Sequence, residues 1–238
     1  MVKRKITTTE LITQDTSWDN MEITCLMVKV DDPCIKIYEN NATLTITNSI
    51  IDGKSTSFHA ILVEGTSVDD PSQLNPTTHP TVVLDSVKLQ NFGNSSKILE
   101  WLDTVTFSSS FFNFKNLIIR NNVGTSMPVN FSASKGSVSG TTFEKNKGIY
   151  TGALSINFPP DGLVLRDVFF TSNGCSNDQC LIVDLFFIKG TTLTGCTAAN
   201  NNMTDPAKFL KYNCRTGSGS EKYLNETAFA TDQQLCQN

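Results

Sequence analysis

The 238-residue chain lacks the features that mark several common classes of protein. Its longest apolar stretch, residues 181–188, is interrupted by Asp184 and is far shorter than the roughly 20 residues of a membrane helix. Charged residues make up only 18% of the chain, the net charge is -4, and no basic stripe follows residues 3–5. Runs of Ala, Glu and Lys, which favour helices, are scarce. We therefore expect a folded, mainly non-helical chain that neither binds nucleic acid nor inserts into a membrane.

The residues that are abundant favour strands and turns. The chain contains 29 Thr, 22 Ser, 22 Asn and 15 Phe, with many Val and Ile. Apolar and polar residues alternate with a period of two in residues 43–47, which is typical of half-buried strands. The composition and the periodicity both predict an all-β protein.

A block recurs along the chain: a polar or glycine corner, a short strand with an apolar residue at the fourth or fifth position of the block, and a final residue that is usually Asn. Five copies span residues 85–91, 116–122, 140–146, 167–173 and 190–196. Neighbouring copies are never closer than about 23 residues, and one or two further apolar runs lie between them. About three short strands per repeat predict stacked coils, and the handedness rule for parallel crossovers makes them a right-handed parallel β-helix.

The repeat divides the chain into three predicted regions. Residues 1–42 form an N-terminal cap or arm with a first partial coil, residues 43–198 form the coils, and residues 199–238 form a C-terminal cap. Within the cap, Asp205 and Pro206 predict the start of a short helix at residues 207–210, and residues 217–220 predict a flexible loop. Caps are expected because unpaired strand edges template aggregation.

Asn122, Asn146 and Asn173 end three of the blocks and are predicted to stack as a structural ladder. An amide side chain both donates and accepts, so a buried row of them satisfies itself. Asn also tolerates the left-handed backbone of a tight corner.

The motifs at two of these positions resemble a known repeat. Phe143-x-x-Asn146, followed by Thr151-Gly-Ala-Leu154, and Phe170-x-x-Asn173 are similar to the paired F-x-x-N and G-G-A-[IL] repeats of the polymorphic outer-membrane protein family of bacterial surface adhesins. The resemblance covers about residues 43–198. It implies a right-handed β-helix of the pectin-lyase-like class and a surface or matrix role.

Seven cysteines suggest a disulfide framework: Cys25, Cys34, Cys175, Cys180, Cys196, Cys214 and Cys236. Cys175 with Cys180 would pin a turn-rich insertion, and Cys25 with Cys34 would staple the N-terminal region. The remaining three leave one thiol over. That thiol is either free and buried, as the block position of Cys196 suggests, or paired between molecules.

Five N-glycosylation sequons begin at Asn41, Asn94, Asn130, Asn202 and Asn225, a number that chance alone would produce in this composition. Asn94 and Asn202 fall in polar insertions, whereas Asn130 lies in a predicted strand. No signal peptide is visible at the N-terminus. The cysteines nevertheless favour an extracellular or cell-surface location.

Residues that could carry catalysis are sparse and scattered. Asp85 and Asp167 share a block position but lie about three coils, near 14 Å, apart, too far for a hydrolase carboxylate pair. His59, at the head of a strand, and His79, in an insertion expected to be solvated, have no nucleophile motif beside them. No catalytic residue, metal site or cofactor is therefore predicted.

These observations favour a non-enzymatic structural or adhesive β-helix that acts through self-association or partner binding. The expected partners are other copies of the chain or other surface and matrix proteins, with glycans as further candidates. Two alternatives stay open: a β-helix that binds or cleaves carbohydrate, and an intracellular scaffold.

Overall fold

The computed structural model describes residues 1–29, 31–38, 41–68, 71–94, 96, 102–159, 163–175, 177, 180–214 and 221–236. Its elements are short strands, one 3-10 turn (Pro71–Gln73) and one short helix, α1 (Glu226–Phe229). The strands are β1 (Val2–Ile6), β2 (Glu10–Leu11), β3 (Thr16–Asp19), β4 (Met21–Cys25), β5 (Ile35–Tyr38), β6 (Thr43–Thr47), β7 (Ile50–Asp52), β8 (Ile61–Glu64), β9 (Thr81–Asp85), β10 (Lys88–Gln90), β11 (Val105–Ser108), β12 (Phe111–Lys115), β13 (Ile118–Arg120), β14 (Val123–Thr125), β15 (Val129–Ser132), β16 (Lys135–Ser139), β17 (Thr142–Glu144), β18 (Lys147–Gly148), β19 (Thr151–Asn157), β20 (Val164–Arg166), β21 (Phe169–Thr171), β22 (Gly174–Cys175), β23 (Leu181–Ile188), β24 (Thr191–Thr194), β25 (Thr197–Ala199), β26 (Leu210–Cys214), β27 (Lys222–Leu224) and β28 (Gln233–Leu235).

The strands form a parallel β-solenoid of about 7 turns, which confirms the predicted β-helix fold class. Sheet A has the order β1-β4-β7-β10-β13-β17-β21-β25, and sheet B has the order β2-β5-β8-β11-β15-β19-β23-β26-β27. Sheet C has the order β28-β24-β20-β16-β12-β9-β6-β3, and a small sheet D joins β14, β18 and β22. Every coil thus contributes one strand to each main sheet, with about 4.8 Å between coils.

Alternating side chains fill the interior of the coil. Buried residues at matched register positions stack on one another, as Phe107 does on Phe131 at 5.3 Å between ring centroids. Phe143 and Phe170, from the two F-x-x-N motifs, stack at 4.9 Å in sheet A. Large apolar side chains therefore recur at one position per coil because each one packs on its equivalent in the next coil.

Two predicted repeats are out of register. Residues 85–91 are shifted by one, because Leu89 rather than Lys88 lies opposite Ile119. The true equivalent of residues 116–122 is therefore residues 86–92.

Residues 190–196, the second of these repeats, resemble the other blocks, but Leu193 lies in sheet C, whereas the equivalent positions Phe143 and Phe170 lie in sheet A. The true equivalent spans residues 195–201, with Ala198 opposite Phe170. The error has a physical cause: Gly190 and Gly195 both occupy left-handed corners, with φ of 63° and 61°, so either one can begin the pattern.

The stack also extends beyond the predicted coil range of 43–198. At the N-terminal side, β1 and β4 already belong to sheet A. At the C-terminal side, β26 continues sheet B in parallel and ends with Cys214 opposite Ile188. Stacking begins already in β1 because every second side chain of this strand faces inward, and Ile6 among them is buried in the core.

The C-terminal end is closed by a cap of different construction from the one predicted. Residues 205–208 form a turn rather than a helix, in which the Asp205 carboxylate accepts a hydrogen bond from the backbone of Ala207. The helix of the cap is α1 instead. The strands β27 and β28 pair antiparallel with β26 and β24, and Phe229 and Leu235 are buried beneath them. The predicted loop at 217–220 lies outside the described residues.

At the N-terminal end a charged side chain takes an inward-facing position. Arg4 lies opposite the fully buried Ile23 in the register of sheet A. Its guanidinium contacts the Glu10 carboxylate at 2.7 Å and lies 4.9 Å from the centre of the Trp18 ring. Inward-pointing charge of this kind opposes the addition of further strands.

Candidate functional site

The three ladder asparagines lie one above another between sheets A and B, and all are buried. The Asn146 Oδ1 accepts hydrogen bonds from the backbone N–H and the Nδ2 of Asn122, at 3.1 and 2.9 Å. The Asn173 Oδ1 accepts the same pair from Asn146, both at 3.1 Å. The Nδ2 of Asn146 also donates to the Ile119 carbonyl of the preceding coil at 2.8 Å, and the Nδ2 of Asn173 donates to the Phe143 carbonyl at 2.9 Å. The arrangement satisfies every side-chain donor and acceptor of Asn146 internally.

The ladder is longer than the sequence predicted. Asn201 accepts from Asn173, and Asn201 in turn donates to the Glu226 carboxylate at 3.1 and 2.6 Å. At the other end, Phe92 occupies the equivalent place and its backbone N–H donates to Asn122. Asn201 was missed because the last block was placed out of register.

The left-handed corner lies one residue before each ladder position. Asn121, Lys145 and Ser172 have φ of 53°, 54° and 56°, whereas none of the ladder residues has a positive φ. The tolerance of Asn for left-handed backbone therefore does not explain the ladder. The recurrence of Asn at these positions is explained by the hydrogen bonds that its side chain makes between coils.

Three disulfides join six of the seven cysteines: Cys25 to Cys34, Cys175 to Cys180 and Cys214 to Cys236. The first two pairs are those predicted, and the third fastens the cap to the end of the coil. Cys196 is the free thiol, and it is buried. It lies immediately before the sheet A strand β25 rather than at a ladder position, and burial raises the pKa of its thiol.

The five sequons lie in different environments. Asn41 and Asn202 are both exposed, and Asn202 forms an isolated β-bridge with Gly174. Asn94 accepts hydrogen bonds from Ser96 within its own turn. Asn225 is the N-cap of α1, and Asn130 lies in sheet B, where it donates to Asp103 at 2.8 Å. Asn41, Asn202 and Asn225 are therefore the exposed sequons and Asn94 and Asn130 the partly buried ones, while glycosylation itself stays a prediction.

The candidate catalytic residues are not brought together. Asp85 and Asp167 lie three coils apart, and Asp85 pairs with Lys115 at 3.6 Å. His59 is buried, which lowers its pKa to about 4. His79 is also buried rather than solvated, with its Nδ1 within 3.1 Å of the Asn75 carbonyl.

The surface that sequence reasoning missed is the outer face of sheet B. Residues at one outward register position of successive strands form a row that we call the polar strip: Asn130, Ser155, Asp184, Lys211 and Tyr223. Lys211 Nζ lies 3.3 Å from the Asp184 carboxylate and 3.5 Å from the Glu221 carboxylate. Burial raises the pKa of Asp184, whereas the Tyr223 hydroxyl, 2.6 Å away, lowers that of Glu221.

A cavity of about 400 Å³ lies at the C-terminal end of the polar strip. Its walls include Leu181, Asp205, Lys208, Lys211 and Tyr223. Lys208 lies 5.3 Å from the centre of the Tyr223 ring and 3.5 Å from the Asp205 carboxylate. The cavity thus combines one aromatic ring with several charged donors and acceptors, most of which are paired with one another.

Beside the strip is a group of three phenylalanines, Phe158, Phe186 and Phe187, which we call the aromatic cluster. Phe158 and Phe187 stack with ring centroids 5.0 Å apart, and Phe186 lies edge-on to both. Phe158 is 44% exposed. No periodic signal in the sequence distinguishes these three from core phenylalanines, so only the structure reveals that they face outward.

Within the residues that the structure describes, no helix is long and apolar enough to cross a membrane. The same residues contain no cluster of three or more His, Cys, Asp or Glu side chains that could hold a metal ion. Comparison with protein-family models, curated proteins and solved structures finds no significant match to this chain.

Proposed function

We propose that the chain is a non-enzymatic structural or adhesive β-helix module of a cell-surface or extracellular assembly. The observation that carries the proposal is the pairing of six cysteines in three disulfides. Such bonds form and persist in oxidising compartments and are rare in reducing ones. They hold both end regions and an insertion of the coil, where a solenoid exposed to the extracellular medium frays first.

The resemblance to polymorphic outer-membrane protein repeats supports the same proposal. Phe143 and Phe170 stack in the core, and Asn146 and Asn173 stack in the ladder. Both F-x-x-N motifs therefore occupy repeating positions of a coil, which is the role that a surface β-helix repeat would require. A rigid rod of this kind presents long lateral faces to partners.

The ends of the solenoid favour binding through its sides. The cap closes one end, and the inward-pointing Arg4 with Glu10 opposes strand addition at the other. Self-association or partner binding is therefore expected through lateral faces rather than by end-to-end stacking.

Surface labelling tests the proposal. Intact source cells and their matrix are treated with a membrane-impermeant amine reagent, which can reach exposed lysines such as Lys3 and Lys145. We expect the chain to be labelled to the same extent with and without cell lysis. Labelling that occurs only after lysis would refute a surface role and support the intracellular-scaffold alternative.

A further inference from the structure

The outer face of sheet A carries two rows of side chains, with one residue of each row from each coil. The first row runs along strands β7 to β25: Ile50, Lys88, Ile118, Thr142, Phe169 and Thr197. The second row lies two residues further along each strand and includes Gln90, Arg120, Glu144 and Thr171. Ile118 and Phe169 are each 37% exposed, so the face is open to a partner.

The first row contains both a groove and a protruding ring. A shallow, mainly apolar groove of about 300 Å³ is lined by Ile50, Lys88 and Ile118. Three coils beyond Lys88, the exposed ring of Phe169 lies between two smaller residues of the row, Thr142 and Thr197. A two-fold interface between identical copies needs such a pair of features, because the same patch must be complementary to itself.

The spacing of these features defines where a two-fold axis would lie. We consider an axis that runs along the strands, midway between β13 and β17. The coil of β10 in one copy then faces the coil of β21 in the other, so Phe169 lies opposite Lys88 and over the groove. Aligned sheets pack face to face in this way, about 10 Å apart. The ring would contact apolar side chains and the Lys88 ammonium.

The charges of the second row have the same midpoint. Arg120 and Glu144 lie in the two coils on either side of the axis, so Arg120 of each copy faces Glu144 of the other. Within one chain, Arg120 Nε donates to the Gln90 side-chain oxygen at 3.0 Å, and Glu144 lies 3.2 Å from Lys145. Among the described residues, no carboxylate lies within ion-pair distance of Arg120. A carboxylate from a second copy would supply that partner.

Other positions of the axis bring like charges together. An axis on β13 sets Arg120 against Arg120, and an axis on β17 sets Glu144 against Glu144. An axis midway between β10 and β13 sets Asp52 against Glu144. Like charges in contact oppose association. The groove, the ring and the charges therefore agree on one arrangement of two copies.

We propose that the outer face of sheet A binds a second copy of the chain in an antiparallel dimer with two-fold symmetry. Phe169 of each copy fills the groove of the other, and two ion pairs between Arg120 and Glu144 flank the axis. The eight strands of sheet A form a face of only about 10 Å by 34 Å. An interface of this size is small, so we expect a dissociation constant of about 10–100 µM.

The inference rests on the proposed function, in which the module associates with copies of itself, and it names the lateral face that is used. Sedimentation velocity of the folded, disulfide-bonded chain, over concentrations on both sides of the expected dissociation constant, measures the dimer.

Charge reversal tests the arrangement of the two copies. Arg120→Glu and Glu144→Arg are each expected to stay monomeric, because like charges then meet on both sides of the axis. An equimolar mixture of the two variants is expected to dimerise, since every Glu of one chain then faces an Arg of the other. Mixing cannot repair a defect in folding, so the mixture separates lost contacts from lost structure.

Truncation of the ring tests the groove. We expect Phe169→Ala to raise the dissociation constant at least tenfold, while the midpoint of thermal unfolding stays within about 2 °C. The matched control is Phe158→Ala, which removes a similarly exposed phenylalanine from the end of a sheet B strand and leaves the dissociation constant within twofold.

Four results would overturn the inference. They are a chain that is monomeric at every concentration, a dimer that both charge variants retain, a mixture of those variants that stays monomeric, and a Phe169→Ala chain that dimerises normally. A monomeric chain that binds an anionic polysaccharide or a different protein through this face would also contradict it. A chain that is labelled on intact cells but is monomeric would lose this inference and keep the proposed function.

Discussion

Each ladder asparagine connects its own coil to both neighbours. Asn146 accepts two hydrogen bonds from Asn122, and its Nδ2 donates to Ile119 in the coil before and to Asn173 in the coil after. All of these groups are buried, so no water replaces a lost partner. The cost of removing the side chain is therefore set by the donors and acceptors that it leaves behind.

We predict that Asn146→Ala lowers the free energy of unfolding by about 3 kcal/mol, because it leaves a backbone N–H and an amide of Asn122 without a partner. Urea unfolding followed by circular dichroism measures the change. The control is Asn113→Ala, an exposed asparagine of sheet C, for which we expect a change within about 0.5 kcal/mol. Equal effects of the two substitutions would show that the ladder contributes nothing specific.

Two buried groups make opposite contributions to stability between about pH 4 and 6.5. Burial lowers the pKa of His59 to about 4. Below pH 6.5 the unfolded chain protonates this ring while the folded chain does not, so the fold loses stability as the pH falls from about 6.5 to 4. Burial raises the pKa of Asp103 to about 6, so its ionisation destabilises the fold as the pH rises from about 4 to 6. Each shift corresponds to about 3 kcal/mol, and the two nearly cancel.

Substitution of either residue should therefore reveal the pH dependence of the unfolding free energy that the other residue causes. Relative to the unmodified chain, we predict that Asp103→Asn gains about 3 kcal/mol of stability between pH 4 and 6, whereas His59→Gln loses about as much between pH 4 and 6.5. Urea unfolding at half-unit pH steps gives both differences. Curves that run parallel to that of the unmodified chain would contradict the assignment.

At the scale of elements, the cap covers the strand edges that the last coil would otherwise leave unpaired. The β27 and β28 strands cover the edges of β26 and β24, and α1 packs against sheet A through β25. Glu226, in the first turn of α1, accepts the last hydrogen bonds of the ladder from Asn201. The helix of only four residues is thus held in place largely by tertiary contacts, such as the burial of Phe229.

We predict that Glu226→Ala destabilises the cap by about 2 kcal/mol because Asn201 loses its acceptor, whereas Glu226→Gln, which keeps a side-chain carbonyl oxygen, costs less than half as much. Hydrogen exchange of the Asn201 amide is the direct readout. It should become faster in the alanine variant and stay close to normal in the glutamine variant. Unchanged protection in the alanine variant would exclude Glu226 as the end of the ladder.

The repeating elements could be predicted from the sequence, and the ends could not. Blocks such as 116–122 and 167–173 contain a corner residue, a core residue and a ladder residue, so each block by itself indicates where its residues lie in the coil. The cap contains no such repetition, and the helix formed at 226–229 because Asn225 caps it and Phe229 is buried. The aromatic cluster escaped prediction because a β-bulge reverses the side to which a phenylalanine points.

At the scale of the whole molecule, the coil is a stack in which each turn contacts mainly its neighbours. The three disulfides hold the N-terminal region, one insertion and the cap, while Cys196 lies buried in the stack without a disulfide partner. This distribution is the link between the fold and the proposed surface role, since a reducing compartment would leave all seven thiols free.

The most direct test of that link is the number of free thiols in protein from its native source. The protein is denatured without reductant and alkylated, and its intact mass is measured by mass spectrometry. A second sample is reduced before alkylation. The account predicts one alkyl group, on Cys196, before reduction and seven after it. Seven groups in the unreduced sample would contradict the surface module and favour an intracellular scaffold.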